Sequence, residues 1–115
     1  MIQEVGYMSG FYLKENETLI GKAMMAYKYS NSISREPTRG YLYVTDKRIC
    51  YYESWSGYEY MNSCISEIEE YEIRKSLFIK FIHIYDVNGK RFIFSGMKSN
   101  DVCRWLDEAG VRRLY

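Results

Sequence analysis

The stretch Arg39–Tyr52, RGYLYVTDKRICYY, sets two runs of aromatic and β-branched residues on either side of a polar joint, Thr45-Asp46-Lys47. Leu42 and Val44 alternate with Tyr41, Tyr43 and Thr45 before the joint, and Ile49 and Tyr51 alternate with Cys50 and Tyr52 after it. Period-two alternation around a short turn predicts a β-hairpin with one face in a core. Leu42, Val44, Ile49 and Tyr51 form that face. The hairpin carries no catalytic group, so it speaks for architecture and not for chemistry.

Upstream, Leu19–Tyr29 (LIGKAMMAYKY) reads as a first strand. Ala23 to Ala26 would also suit a helix, but Gly21 favours the strand. The segment SNSISREPT, residues 30–38, contains the only proline and is the clearest loop. Downstream, ESWSG (residues 53–57) is a turn and Tyr58–Met61 a short strand. Ser63–Glu67 reads as a turn followed by a strand from Ile68, with a helix over residues 64–73 as the alternative. Leu77–Val87 (LFIKFIHIYDV) is strongly β in character, Asn88-Gly89 is a two-residue hairpin turn, and Arg91–Ser95 is the returning strand. The last element is an amphipathic helix. Ser99 would cap it, Asp101 sits in its first turn, and Val102, Trp105, Leu106 and Ala109 make one apolar stripe that puts Trp105 in the core. Gly110 closes it.

A chain of 115 residues makes one domain, with a flexible lead-in over residues 1–10 and a single folded unit over 11–115. Its 47% hydrophobic and 17% aromatic content excludes disorder, and thirteen tyrosines suit half-buried sheet faces. Sixteen Lys/Arg against fifteen Asp/Glu gives a net charge of +1, which offers no global attraction for nucleic acid. Three scattered cysteines fit a reducing compartment, with Cys50 and Cys103 as small core residues. The N-terminus lacks the pattern of a signal peptide, and no apolar run reaches the roughly twenty residues needed to span a bilayer. The expected location is cytoplasmic. The lone histidine, His83, has no cysteine or carboxylate at catalytic spacing, the Cys and His spacings do not suit zinc, and there is no glycine-rich phosphate loop. No enzyme, metal or cofactor is expected.

Seven strands in meander order followed by a Trp-bearing helix resemble the pleckstrin-homology-like superfold, in its GRAM and bacterial PH-like branch. Three features carry the resemblance: Gly40–Ile49 as a glycine-led strand, Thr-containing turn and following strand; Asp86–Phe92; and the terminal helix with Trp105. It covers roughly Phe11 to Gly110. The resemblance implies a mainly β fold, a curved antiparallel seven-stranded sheet or partial barrel capped by one C-terminal helix, and a non-catalytic binding role.

Phosphoinositide-binding members of the superfold use basic residues at the end of the first strand and in the loop after it; the matching positions are Lys28, Arg35 and Arg39. Pro37 interrupts the basic–spacer–arginine pattern and Glu36 offsets its charge. The resemblance also gathers the first, third and sixth inter-strand loops, bringing Arg35, Trp55, Tyr58 and Lys90 to one rim. There Trp55 either folds back over the sheet edge or stands out to dock on a protein or a headgroup interface. Tyr41, Tyr43, Tyr52, Tyr58 and Tyr60 form an aromatic face that is a self-association surface if open and merely structural if Met8–Leu13 covers it. The acidic run Glu67, Glu69, Glu70 and Glu72 is a solvated face. The expected partner is a protein or a second copy of the chain. Peripheral attachment to anionic lipid at the inner face of the membrane is the alternative, and a small-ligand regulatory module in the mouth of the sheet is a third.

Overall fold

The computed structural model describes residues 10–28 and 38–114. Residues 1–9, 29–37 (with Arg35) and 115 lie outside the described residues. The described chain forms strands β1 (Leu19–Lys28), β2 (Thr38–Thr45), β3 (Arg48–Glu53), β4 (Glu59–Cys64), β5 (Ile68–Ser76), β6 (Ile79–Asp86) and β7 (Arg91–Ser95). Helix α1 (Ser99–Glu108) and a two-residue strand β8 (Arg113–Leu114) follow. The strand order is β4-β3-β2-β1-β7-β6-β5-β8, so β1 joins the two meanders and α1 lies against the sheet. This is the curved, helix-capped sheet expected, with β8 added in parallel beside Tyr71 and Glu72 of β5.

The alternation in Arg39–Tyr52 is the register of the β2–β3 hairpin, where Val44 faces Ile49 and Leu42 faces Tyr51. All four are fully buried, and they meet Ile82, Ile84 and Phe94 of the second meander and Val102 and Leu106 of α1 in one core. The polar joint is a fastening. Thr45 Oγ1 accepts the backbone N–H groups of Lys47 and Arg48 at 3.0 and 2.9 Å and donates to Glu17 Oε2 at 2.7 Å. Asp46 Oδ1 accepts the Thr18 N–H at 2.9 Å, tying the turn to the entry of β1.

One glycine here serves close packing and another a helix cap. A Cβ on Gly21 would lie 2.1 Å from Cδ2 of Trp105, so the missing side chain is what lets the indole rest on β1. Trp105 is half-buried at the margin of the core rather than inside it. The helix ends as a Schellman cap: the Val111 N–H reaches the Leu106 carbonyl at 2.9 Å, the Gly110 N–H reaches that of Asp107 at 3.0 Å, and Gly110 takes φ +94°. Its start differs from expectation. Lys98 is the cap residue, and the Ser99 hydroxyl donates to the Gly96 carbonyl instead of accepting a helix N–H.

Two turns also depart from the sequence reading. The Asn88-Gly89 loop has three residues, because the Asp86 N–H bonds the Lys90 carbonyl and Asp86 Oδ1 accepts the N–H groups of Asn88 and Lys90. Only Gly89 there has positive φ. The strand expected from Leu77 begins instead at Ile79, because Leu77 and Phe78 are the β5–β6 turn, with Ser76 paired to Ile79. Residues 64–73 divide into a single 3₁₀ turn, Ile65–Glu67, and strand from Ile68.

Candidate functional site

The aromatic face is closed at Tyr43 and Tyr52, whereas Tyr58 stays exposed. Phe11 stacks on Tyr43 with ring centroids 4.0 Å apart and meets Tyr52 edge-on at 6.3 Å, forming a second small core with Cys50. Tyr60 belongs to the other side of the sheet, 5.3 Å from Tyr27 and 6.3 Å from Tyr51. What holds the cover down is an ion pair. Arg48 Nε and Glu17 Oε2 are 2.7 Å apart, with side chains 7% and 1% exposed, and Arg48 Nη2 also donates to the Tyr12 carbonyl. The guanidinium lies 5.1 Å from the Phe11 ring. Burial works against the Glu17 carboxylate, but its bonds from Arg48, the Lys14 N–H and Thr45 outweigh that and hold its pKa at about 2.

His83 is buried on β6, opposite Glu72 of β5 and Ile93 of β7. Glu72 is engaged elsewhere, accepting from Arg74 Nε at 3.0 Å and from the Tyr85 hydroxyl. Burial, aided by Arg74 and Arg91, lowers the His83 pKa and favours the neutral ring. Burial likewise pushes the Cys50 thiol up to about 11, away from nucleophilic use. Among the described residues, no three His, Cys, Asp or Glu side chains gather as a metal-binding group, and no helix is long and apolar enough to cross a membrane.

The rim is more open than a packed sheet edge. Trp55 is 91% exposed and Tyr58 61%. Their turn is braced from below: the Ser54 N–H donates to the Arg39 carbonyl at 3.1 Å, Gly57 N–H to the Glu53 carbonyl at 2.8 Å, and Tyr58 N–H to Ser56 Oγ at 3.1 Å. Trp55 therefore stands out on a fixed platform and does not fold back. Arg39 and Lys28 are both exposed, and Arg39 sits opposite Ala26, two residues before Lys28 on the same face of β1. Lys90 is exposed at the β6–β7 loop, its Nζ 4.9 Å from the centre of the Phe92 ring.

One surface is absent from the sequence reading. Leu77 is 93% exposed, Phe78 fully exposed, and Met97 fully exposed. Leu77 has φ +56°, a left-handed conformation that costs a leucine about 1–2 kcal/mol and that two-residue turns of this kind usually give to glycine. Phe78 and Met97 border an open groove of about 810 Å³ with Met24, Arg39, Lys80 and Lys98. The missed signal is faint: Arg74, Lys75 and Ser76 are a polar run directly before the apolar Leu77, Phe78 and Ile79.

A family profile described as GRAM domain matches residues 6–115. Solved structures with the same fold include the C-terminal domain of an unknown protein from Leishmania infantum, at TM-score 0.71 and 14% identity, covering 94% of this chain and 93% of that one. The Vps36 N-terminal PH domain is similar at TM-score 0.64 and 17% identity, with 84% of each chain covered. The hSac2 domain of human phosphoinositide phosphatase Sac2 is similar at TM-score 0.63 and 10% identity, covering 99% and 88%. No curated protein sequence matches significantly.

Proposed function

The chain belongs to the GRAM domain family, and from that premise we propose that it is a non-catalytic docking module that holds a protein partner at the Trp55 rim. The family and the wider PH-like fold comprise binding modules, for lipids or for proteins. The observation that carries the finer reading is Trp55, 91% exposed on a turn fixed to the β2 backbone. On a turn braced by backbone hydrogen bonds, a tryptophan has only two side-chain torsions to fix on docking, and such residues anchor protein interfaces. Arg39 and Lys28, beside it on the outer face, complement carboxylates on the partner, while Glu53 and Glu59 flank the same turn. Weak capture of anionic headgroups by Lys28, Arg35 and Arg39 is a second reading, favoured by Lys28 and Arg39 sharing one face.

A photo-crosslinking residue at position 55 in living cells tests the rim, with the exposed Glu69 position as control. The expected result is a discrete adduct at 55 that is missing at 69; twice the 13.8-kDa mass would identify a second copy of the chain. Binding to the purified partner should then weaken about 30-fold or more in Trp55→Ala. The same adducts at both positions, or unweakened binding by Trp55→Ala, would contradict the proposal.

A further inference from the structure

We propose that the Leu77–Phe78 turn is a membrane-inserting tip, which seats in the interface of an anionic bilayer with Met97 beside it and a collar of cations around it. The tip is distinct from the Trp55 turn, with β2, β1 and β7 lying between the strand that leads to Trp55 and the strand that follows Phe78, and Arg39 borders both surfaces. Trp55 and Phe78 variants therefore tell the two proposals apart.

Three observations converge. The first is exposure. Leu77, Phe78 and Met97 are each more than nine-tenths exposed, and Ile79 and Met24 about half. Isolated apolar side chains in water are ordinary, but several gathered at one turn and its adjoining groove mark a binding surface.

The second is strain. Leu77 adopts φ +56° at the first position of a two-residue hairpin turn, where glycine would be relaxed. The chain keeps a bulky apolar residue where both its backbone and its hydration are unfavourable. Folding gains nothing from that choice, because Leu77 and Phe78 are left in water. A contact outside the chain accounts for it.

The third is charge, which selects the occupant. The groove beside the tip is lined by Arg39, Lys80 and Lys98 and by no aspartate or glutamate. Lys75 is exposed one residue before Ser76, at the tip's other flank. A second copy docking by the same surface would bring these cations against their equivalents, which disfavours a symmetric dimer. An anionic bilayer satisfies both parts of the surface at once: apolar side chains enter the headgroup–acyl boundary while lysine and arginine meet lipid phosphates and carboxylates. Lys80 is already oriented, its Nζ 2.7 Å from Asn100 Oδ1.

Co-sedimentation of the full chain with phosphatidylcholine vesicles, with and without phosphatidylserine, tests the inference. Binding is expected on the anionic vesicles at low salt, about tenfold or more weaker on the neutral ones, and falling as salt is raised. Phe78→Glu should weaken it by about tenfold to a hundredfold, the effect of withdrawing one large apolar side chain and adding a like charge to that of the lipid. Leu77→Gly is the sharper variant. It should weaken binding while leaving the melting temperature unchanged or higher, since it removes both strain and an exposed leucine; a role for Leu77 in holding the fold predicts the reverse.

Absence of binding to anionic vesicles at low salt would overturn the inference. So would binding that survives Phe78→Glu and disappears in Trp55→Ala, which would move the membrane contact to the rim. A concentration-dependent dimer mass that Phe78→Glu returns to 13.8 kDa would overturn it too, by assigning the tip to self-association.

Discussion

Gly40→Ala is expected to destabilise the domain by about 3 kcal/mol, although alanine is ordinarily the better-tolerated residue inside a strand. A Cβ at this position would lie 2.2 Å from the Tyr52 carbonyl oxygen and 2.9 Å from both Glu53 Cα and the Tyr52 carbonyl carbon. Every one of these is a backbone atom, so no rotamer change relieves the clash and β2 must part from β3. Gly40 is paired to Glu53 at the end of the hairpin that carries the Trp55 turn, and the neighbouring Arg39 carbonyl accepts the Ser54 N–H. The damage should therefore reach the rim. Thermal unfolding checks this: a fall of roughly 12–24 °C in Tm is predicted from the usual 4–8 °C per kcal/mol. An unchanged Tm would mean that β2 and β3 do not approach as closely as described.

The second large effect concerns Glu17 and Arg48. Glu17→Gln leaves the Arg48 guanidinium, with its side chain 7% exposed, buried without its counter-charge, at a cost of about 3–5 kcal/mol. Arg48→Met should cost a similar amount, because it leaves the Glu17 carboxylate alone. The double variant Glu17→Leu/Arg48→Met should cost less than the sum of the two single changes, since it buries no unpaired charge. Chemical denaturation of the four proteins reads the coupling directly, and additive losses would refute a paired, buried bridge.

The same bridge gives the domain an acid limit. Glu17 has its pKa held at about 2 in the fold against an ordinary value of 4.5. Its contribution, about 3 kcal/mol by linkage, is present above pH 4.5 and is lost as pH falls through that value towards 2. His83 acts earlier on the scale. Its pKa is lowered by burial, so protonation favours the unfolded chain and stability begins to decline below its ordinary pKa of 6.5. Denaturation midpoints measured from pH 7 to pH 3 should show two descending steps in the parent. Glu17→Gln should keep the upper step and shrink the lower one, to which Glu72, also held below its ordinary pKa by its bond from Tyr85, contributes. A lower step of equal size in both would assign it to Glu72 and other carboxylates.

Much of this was legible in the sequence because local chemistry and global fold agree over Arg39–Tyr52. The alternation names Leu42, Val44, Ile49 and Tyr51 as core, whereas the close backbone approach at Gly40 shows only in the structure. The joint Thr45-Asp46-Lys47 announces a turn, although its bond to Glu17 spans 28 residues and leaves no local trace. The helix stripe likewise predicts burial of Val102 and Leu106, and the glycine that lets Trp105 dock stands far away on β1. Trp55 was readable as a loop tryptophan. Its exposure was not, because that depends on what the rest of the fold leaves uncovered. Leu77 and Phe78 were hidden for a different reason. They sit in a continuous run of β-forming residues, LFIKFI, and a turn built without glycine, proline or asparagine has no compositional mark. The rule broken there is local, at a place where folding gains nothing from breaking it.

That break carries the membrane inference, and one fluorescence measurement addresses it directly. In a Trp55→Phe background, Phe78→Trp places an indole at the tip, with Trp105 as a constant contribution from the helix. Phosphatidylserine-containing vesicles whose acyl chains carry bromine quench only indoles that enter the bilayer. The account predicts strong quenching of the tip indole relative to the Trp55→Phe parent, relieved as salt is raised. Emission that bromine leaves unchanged, from chain that nevertheless sediments with the vesicles, would contradict it.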